Sequence, residues 1–209
     1  MTTKRNLTQY FKQNPDDLTK EQFGKILEDL MHSKERKTMY DETFDCLQWL
    51  RNAPGRQELF CNYIEQNYSQ FFGKKVLEVG CGANAKLSRL LSKNFVITAM
   101  DPAINTTSRK IKLIKEKFDF QSTAVDEYDL IIGLEPCDAS EHIIRSCLQH
   151  KKEFIVVLCG TPHKKINGTM PNNIMAWYNY LVSIDKAHLQ LEKINCADGF
   201  NPYIIKNKK

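Results

Sequence analysis

The sequence predicts an α/β fold: a mostly parallel seven-stranded sheet with a C-terminal antiparallel hairpin, preceded by an N-terminal helical extension. Three observations predict it. No strand is needed before Lys74, short apolar runs alternate with helical segments after it, and the first run ends in Gly80-Cys81-Gly82. Five apolar runs joined by helices call for a parallel sheet covered on both faces, because parallel strands need crossover connections that lie on those faces.

The elements follow in order. Phe23, Ile26, Leu27, Leu30 and Met31 repeat with the spacing of one helix face, and Asp16 and Asp17 stand where a cap is wanted. Met39, Tyr40, Phe44, Leu47, Trp49 and Leu50 form a second helical pattern that ends at Pro54-Gly55. A third runs from Arg56 to Phe72 and closes at Gly73. Residues 1–72 are therefore expected as a helical cap, and residues 73–209 as the sheet domain. Strands are expected over Val76–Val79, Phe95–Met100, Ile111–Phe118, Tyr128–Leu134 and Phe154–Leu158. For Ile111–Phe118 the lysine content leaves a helix as an alternative. Helices are expected over Ala85–Ser92, Ala139–His150 and Pro171–Asp185. His188–Cys196 and Tyr203–Ile205, separated by Ala197-Asp198-Gly199, read as the closing hairpin.

Composition narrows the function classes. The 209 residues are 42% hydrophobic and 26% charged, which excludes wholesale disorder. The longest apolar stretches, such as Phe154–Cys159, fall far short of the roughly 20 residues of a membrane span, and Met1–Asp17 has no signal-like apolar region. A cytoplasmic protein with no membrane partner is expected. Thirty Lys and Arg against 25 Asp and Glu give +5, which permits an anionic partner such as RNA without demanding one. Seven cysteines (46, 61, 81, 137, 147, 159 and 196) include no C-x-x-C pair, so neither a disulfide framework nor a zinc ribbon is expected.

Val76 to Ala85 carry most of the chemistry. A strand that enters Gly-x-Gly and then a helix lets backbone approach a ligand, and helix-start amides favour negative charge. Asp101 ends the next strand, 21 residues after Gly80, where a carboxylate can accept both hydroxyls of a ribose. Read as G-x-G-x-x-A, Gly80, Gly82 and Ala85 would suit a dinucleotide, making an NAD(P)-dependent oxidoreductase the alternative enzyme. Glu78, two residues before Gly80, has little use beside a pyrophosphate.

Glu78-Val79-Gly80-Cys81-Gly82 resembles the first motif, E/D-x-G-x-G, of the class I S-adenosylmethionine-dependent methyltransferases. Asp101 matches that family's acid after strand two, Tyr128–Gly133 resembles its strand four, and the hairpin resembles its strands six and seven. The resemblance spans Lys74 to Lys209 and implies a doubly wound sheet that binds S-adenosyl-L-methionine over the strand ends. It places Gly80 and Gly82 under the aminoacyl part, Asp101 on the ribose and Asp119 or Phe120 near the adenine, with Glu78, Cys81, Pro102 and Glu135 also among the expected cofactor contacts. Asn84 stands where the family has a third glycine, and Pro102–Lys110 is too short for a full helix.

Acceptor chemistry is expected beyond strands four and five. Glu135-Pro136-Cys137-Asp138 follows strand four; Glu135 could hold a polar acceptor or the cofactor's amino group, or simply be a capping acid. Cys137 and Cys159 resemble the cysteine pair of RNA cytosine-5 methyltransferases, in which a thiolate attacks the base, although Asp138-Ala139-Ser140 departs from that family's Ser-Gly. His163 could serve as a base, and Lys164 and Lys165 could meet an anion. Trp177, Tyr178 and Tyr180 suit the core better than a cation cage. Candidate catalytic residues are thus Glu135, Cys137 and His163. The methyl acceptor is left open among RNA, protein and small molecules. A non-catalytic subunit is a further alternative, with a protein partner or second copy held by the N-terminal helices.

Overall fold

The computed structural model describes residues 19, 21–22, 24–25, 53–197 and 200–208. The chain divides into two compact units, Met1–Leu59 and Phe60–Lys209. Of the first, Thr19 and Gln22 form a reciprocal cap: the Gln22 amide donates to Thr19 Oγ1 at 3.2 Å, and the Thr19 amide to Gln22 Oε1 at 2.9 Å. This is the S/T-x-x-E/Q signature of a helix start. The helix expected through Leu30 and Met31, the one over Met39–Leu50, and the caps at Asp16 and Asp17 lie outside the described residues, as do Asp198 and Gly199 of the hairpin turn.

Among the described residues, α1 spans Arg56–Asn67 and is followed by a short 3₁₀ turn, Ser69–Phe71, in place of the single helix expected to Phe72. Then come β1 (Lys75–Val79), α2 (Lys86–Leu91), β2 (Val96–Met100), β3 (Lys112–Ile114), β4 (Leu130–Leu134), α3 (Ala139–Gln149), β5 (Glu153–Val157), α4 (Ile174–Ser183), β6 (Leu189–Lys193) and β7 (Tyr203–Asn207). Ile111–Phe118 contributes a strand of only three residues. It pairs on one side alone, and Lys115, Glu116 and Lys117 turn to solvent beyond it. No helix fills 101–111, as the short Pro102–Lys110 link requires.

The strands lie in the order β3-β2-β1-β4-β5-β7-β6. Pairing is parallel from β3 to β5, while β7 runs antiparallel between β5 and β6. Near-continuous burial of β1, β2, β4 and β5 fits strands covered twice. The period-2 alternation of side chains divides the core. Leu77, Val79, Ile131 and Val156 pack with Ile143, Ile144 and Cys147 of α3 and Trp177, Tyr178 and Leu181 of α4. Glu78 points the other way, where Ser88 of α2 meets it.

This topology decides where a ligand can sit. Val79 is in register with Met100, Met100 with Ile114, and Leu134 with Val157, so the following loops leave along one edge of the sheet. From β1 the chain winds outward to β2 and β3, then returns to β4 and winds the opposite way. The crevice at this reversal, between the β1 and β4 loops, is the general ligand site of open α/β sheets.

Candidate active site

On the β1 side the loop is built from backbone. Gly80, Gly82 and Ala85 all have positive φ (73°, 68° and 46°), so the chain coils tightly before α2 begins. The two glycines have different reasons. A Cβ on Gly80 would lie 2.7 Å from both Cα and Cβ of Pro136, whereas one on Gly82 would meet nothing within 4 Å. Gly80 is bare because the β4 loop presses against it; Gly82 leaves space on the open side. The two glycines expected to admit a ligand thus have different surroundings, open space at Gly82 and the Pro136 backbone at Gly80.

Asp101 braces this turn. Its Oδ2 accepts from the Gly82 amide at 3.0 Å and its Oδ1 from the Ala103 amide at 2.7 Å. Pro102 follows it at the surface. Burial pushes the Cys81 thiol up to about 12, with Glu78 and Asp101 adding to the effect. Glu78 is 2% exposed and accepts from the Ser88 hydroxyl. Desolvation pushes its carboxyl up to about 7, against the hydrogen bonds from Ser88. Asp119 and Phe120 sit on a turn beyond β3 and dock on α3: the Phe120 amide donates to His142 Nδ1 at 3.4 Å, and the two rings lie 5.6 Å apart.

On the β4 and β5 side, side chains make the site. Glu135 and Cys137 have φ of 54° and 50°, left-handed values that cost non-glycine residues about 1–2 kcal/mol each. Between them Pro136 wedges against Gly80 and also reaches 2.9 Å from the position of a Cβ on Gly133. This proline locks the β1 and β4 loops together. The pattern Glu-Pro-Cys gave no sign of that role, because one of its partners, Gly80, lies fifty-six residues earlier in the chain.

Sγ of Cys137, Sγ of Cys159 and a ring nitrogen of His163 all lie within 4.8 Å of one another. Nδ1 of His163 is 2.9 Å from Asp138 Oδ1, while Nε2 is 3.5 Å from Thr161 Oγ1, itself 3.1 Å from Cys159 Sγ. Cys137 bonds to Cys159 and to the Glu135 carbonyl, and the first of these bonds holds its thiol far above the usual range. Cys159 moves down, chiefly through the hydrogen bond from Cys137 and then through those from His163 and Thr161. His163 moves up, chiefly through Cys159 and then Asp138. Contact among the three groups thus favours the neutral Cys137 thiol and the charged forms of Cys159 and His163.

Sequence reasoning missed Glu141. Its side chain is 1% exposed, and its Oε2 accepts from the Ile166 amide at 2.9 Å. Its Oε1 accepts from Arg145 Nε at 2.8 Å and from the Tyr180 hydroxyl at 2.6 Å. It pins the loop that carries His163 to α3 and α4. The signal was weak, an acid in the first turn of a helix. Trp177 and Tyr178 belong to the core, as expected, and the Tyr178 hydroxyl donates to the Cys159 carbonyl at 3.0 Å. Lys165 lies 4.4 Å from the centre of the Tyr180 ring, and Lys164 stays exposed.

Comparison with known proteins places this arrangement. Magnesium protoporphyrin IX methyltransferase of Synechocystis, solved with bound S-adenosylmethionine, superposes with a TM-score of 0.50 at 11% identity, covering 91% of this chain and 97% of that one. A Leishmania major S-adenosylmethionine-dependent methyltransferase gives 0.50 at 12% identity, over 91% of this chain and 85% of that one. The fold is that of the class I methyltransferases. In sequence, the chain is similar to ubiquinone biosynthesis O-methyltransferases of Rickettsia felis, 28% identical over 127 residues, and Haemophilus ducreyi, 26% identical over 95. Those matches cover 56% and 42% of this chain, and 48% and 38% of the relatives' own lengths. No known family profile matches the chain. The methyltransferase fold accounts for the antiparallel β7 between β5 and β6, which an all-parallel dinucleotide sheet lacks.

Proposed function

We propose that the chain binds S-adenosylmethionine at the β1 and β2 loops and transfers its methyl group to an acceptor held over the β4 and β5 loops. The observation that carries this reading is the open side of Gly82, beside the Asp101 carboxylate at the reversal of strand order. Gly82 would lie under the aminoacyl part and Asp101 would take the ribose hydroxyls, exchanging its bond to the loop amide for bonds to ligand. Glu78 acts from beneath, through Ser88 and the start of α2. S-adenosylmethionine supplies an electrophilic methyl group on a sulfonium, so the chain's own work is alignment and removal of the acceptor's proton. Cys159 and His163 are the groups placed to take that proton. The relatives named for O-methyl transfer support a hydroxyl acceptor on a small molecule. Among the described residues, no helix is long and apolar enough to cross a membrane. The free thiols at the site suit the reducing cytoplasm.

Calorimetry with S-adenosylmethionine and S-adenosylhomocysteine tests the reading. Both should bind, and Asp101→Ala should weaken binding about 10- to 100-fold, the worth of hydrogen bonds to a charged group. Preferential binding of NAD, or no binding of either sulfur ligand at millimolar concentration, would sink it. Cofactor binding without turnover on any extract would favour the non-catalytic subunit.

A further inference from the structure

The loops after β4 and β5 bring together two sulfurs and one imidazole that the chemistry of methyl alignment does not require. Cys137 and Cys159 are 22 residues apart in the chain, and His163 follows four residues later, a spacing that matches no common zinc motif. In space their donor atoms fall within 4.8 Å of one another. Around a tetrahedral zinc ion, with bonds of about 2.3 Å to sulfur and 2.0–2.1 Å to nitrogen, donor atoms stand roughly 3.5–3.8 Å apart. The three groups therefore need to close by no more than about 1.3 Å, within reach of side-chain rotation at the exposed Cys137.

A second observation fixes the imidazole for this task. Asp138 Oδ1 lies 2.9 Å from Nδ1 of His163. A carboxylate only accepts, so Nδ1 carries the hydrogen and Nε2 faces the two sulfurs with its lone pair available in the neutral ring. A carboxylate behind a histidine in this way is the usual support of a metal-bound imidazole. The Thr161 hydroxyl, 3.1 Å from Cys159 Sγ and 3.5 Å from His163 Nε2, is placed to donate to a bound thiolate. Glu141 holds the loop through Ile166, so the histidine is presented by a braced segment.

We propose that Cys137, Cys159 and His163 bind a zinc ion, with Asp138 orienting the histidine and a fourth position left open. Both cysteines bind as thiolates and their protons pass to solvent. Two sulfurs, one imidazole and an open position make the ligand set of a catalytic rather than a structural zinc site. Resting on the methyl-transfer reading, the open position would take the acceptor: a thiol or hydroxyl bound there would pass its proton to solvent and bond to the sulfonium methyl as the S–CH3 bond breaks and S-adenosylhomocysteine leaves.

Cobalt tests the site without activity. The full chain, stripped with a chelator and kept reduced with a phosphine, is titrated with Co²⁺ and followed by absorbance. One equivalent should give thiolate-to-cobalt charge-transfer bands and the strong visible bands of a tetrahedral ion, and zinc should abolish both. A Cys137→Ser, Cys159→Ser double variant should lose the charge-transfer bands, and Cys196→Ser should keep them. Asp138→Asn, which leaves all three ligands in place, should weaken binding about 10- to 100-fold. Absence of the bands from the wild type, or their survival in the double variant, overturns the site. Added 2-mercaptoethanol should intensify the charge-transfer bands as a further thiolate enters; an unchanged spectrum overturns the open position. Calorimetry with S-adenosylmethionine is independent of all this: cobalt bound without cofactor ends the methyl-transfer reading and leaves the ion site standing.

Discussion

The two halves of the sheet edge are made of different material. Around β1 and β2 the site is backbone: two glycines, a run of amides and one carboxylate that braces them, all within 22 residues of chain. Around β4 and β5 it is side chain: Cys137, Asp138, Glu141, Cys159 and His163, gathered from two loops and a helix. The first half can bind a common cofactor because backbone geometry is tied to a short motif. The second is built of side chains that single substitutions replace without disturbing the sheet. Pro136 joins the halves, and its contact with Gly80 makes the β1 loop and the β4 loop share one wall.

Breaking that joint should have the largest effect. Gly80→Ala adds a Cβ 2.7 Å from Pro136 at a φ of +73°, combining left-handed strain with overpacking. A loss of about 3–4 kcal/mol is expected in urea unfolding. Glu78→Gln probes what lies beneath the backbone half. The Glu78 carboxyl titrates near 7 in the folded chain against 4.5 for an unperturbed glutamate, so the native state binds the extra proton between those values. Stability should therefore fall as pH rises from about 4.5 to 7, by on the order of 3 kcal/mol. The glutamine variant should flatten that slope and be more stable than the wild type above pH 7, as read by thermal melts across pH.

Glu141→Gln probes the side-chain half. It weakens the bonds to Arg145, Tyr180 and the Ile166 amide and should cost about 1–2 kcal/mol. The same variant should make the 160–170 segment cut faster by limited proteolysis; an unchanged cleavage rate would remove Glu141 as the anchor of that loop. Gly82→Ala should be mildest for stability, about 1 kcal/mol for the positive φ alone, since its Cβ meets open space. Its effect on cofactor affinity should exceed its effect on folding. Equal small effects on both would mean that no ligand lies over that face.

Legibility followed the same division. The strands of the parallel sheet were readable because β1, β2, β4 and β5 are buried on both faces and must be apolar nearly throughout. Asp101 was readable because its distance from Gly80 is set by one strand-helix-strand unit. Cys159 and His163 were visible one at a time, but not their contacts with Cys137 and Asp138 in another loop. Glu141 was not readable, since a first-turn acid is ordinarily a solvated end of a helix and here it is buried among three donors.

By itself the sequence determined the alternation of buried strands and helices, and the glycine turn with its distant acid. Periodicity and glycine placement are local properties that any packing must respect. The tertiary structure alone decided that Gly80 lies against a proline, that Glu78 is a buried acid on the α2 side, and that two cysteines and a histidine converge. The first depends on the reversal of strand order at β1 and β4, which brings loops more than fifty residues apart into contact; the second on the packing of α2 over β1, and the third on the parallel pairing of β4 with β5.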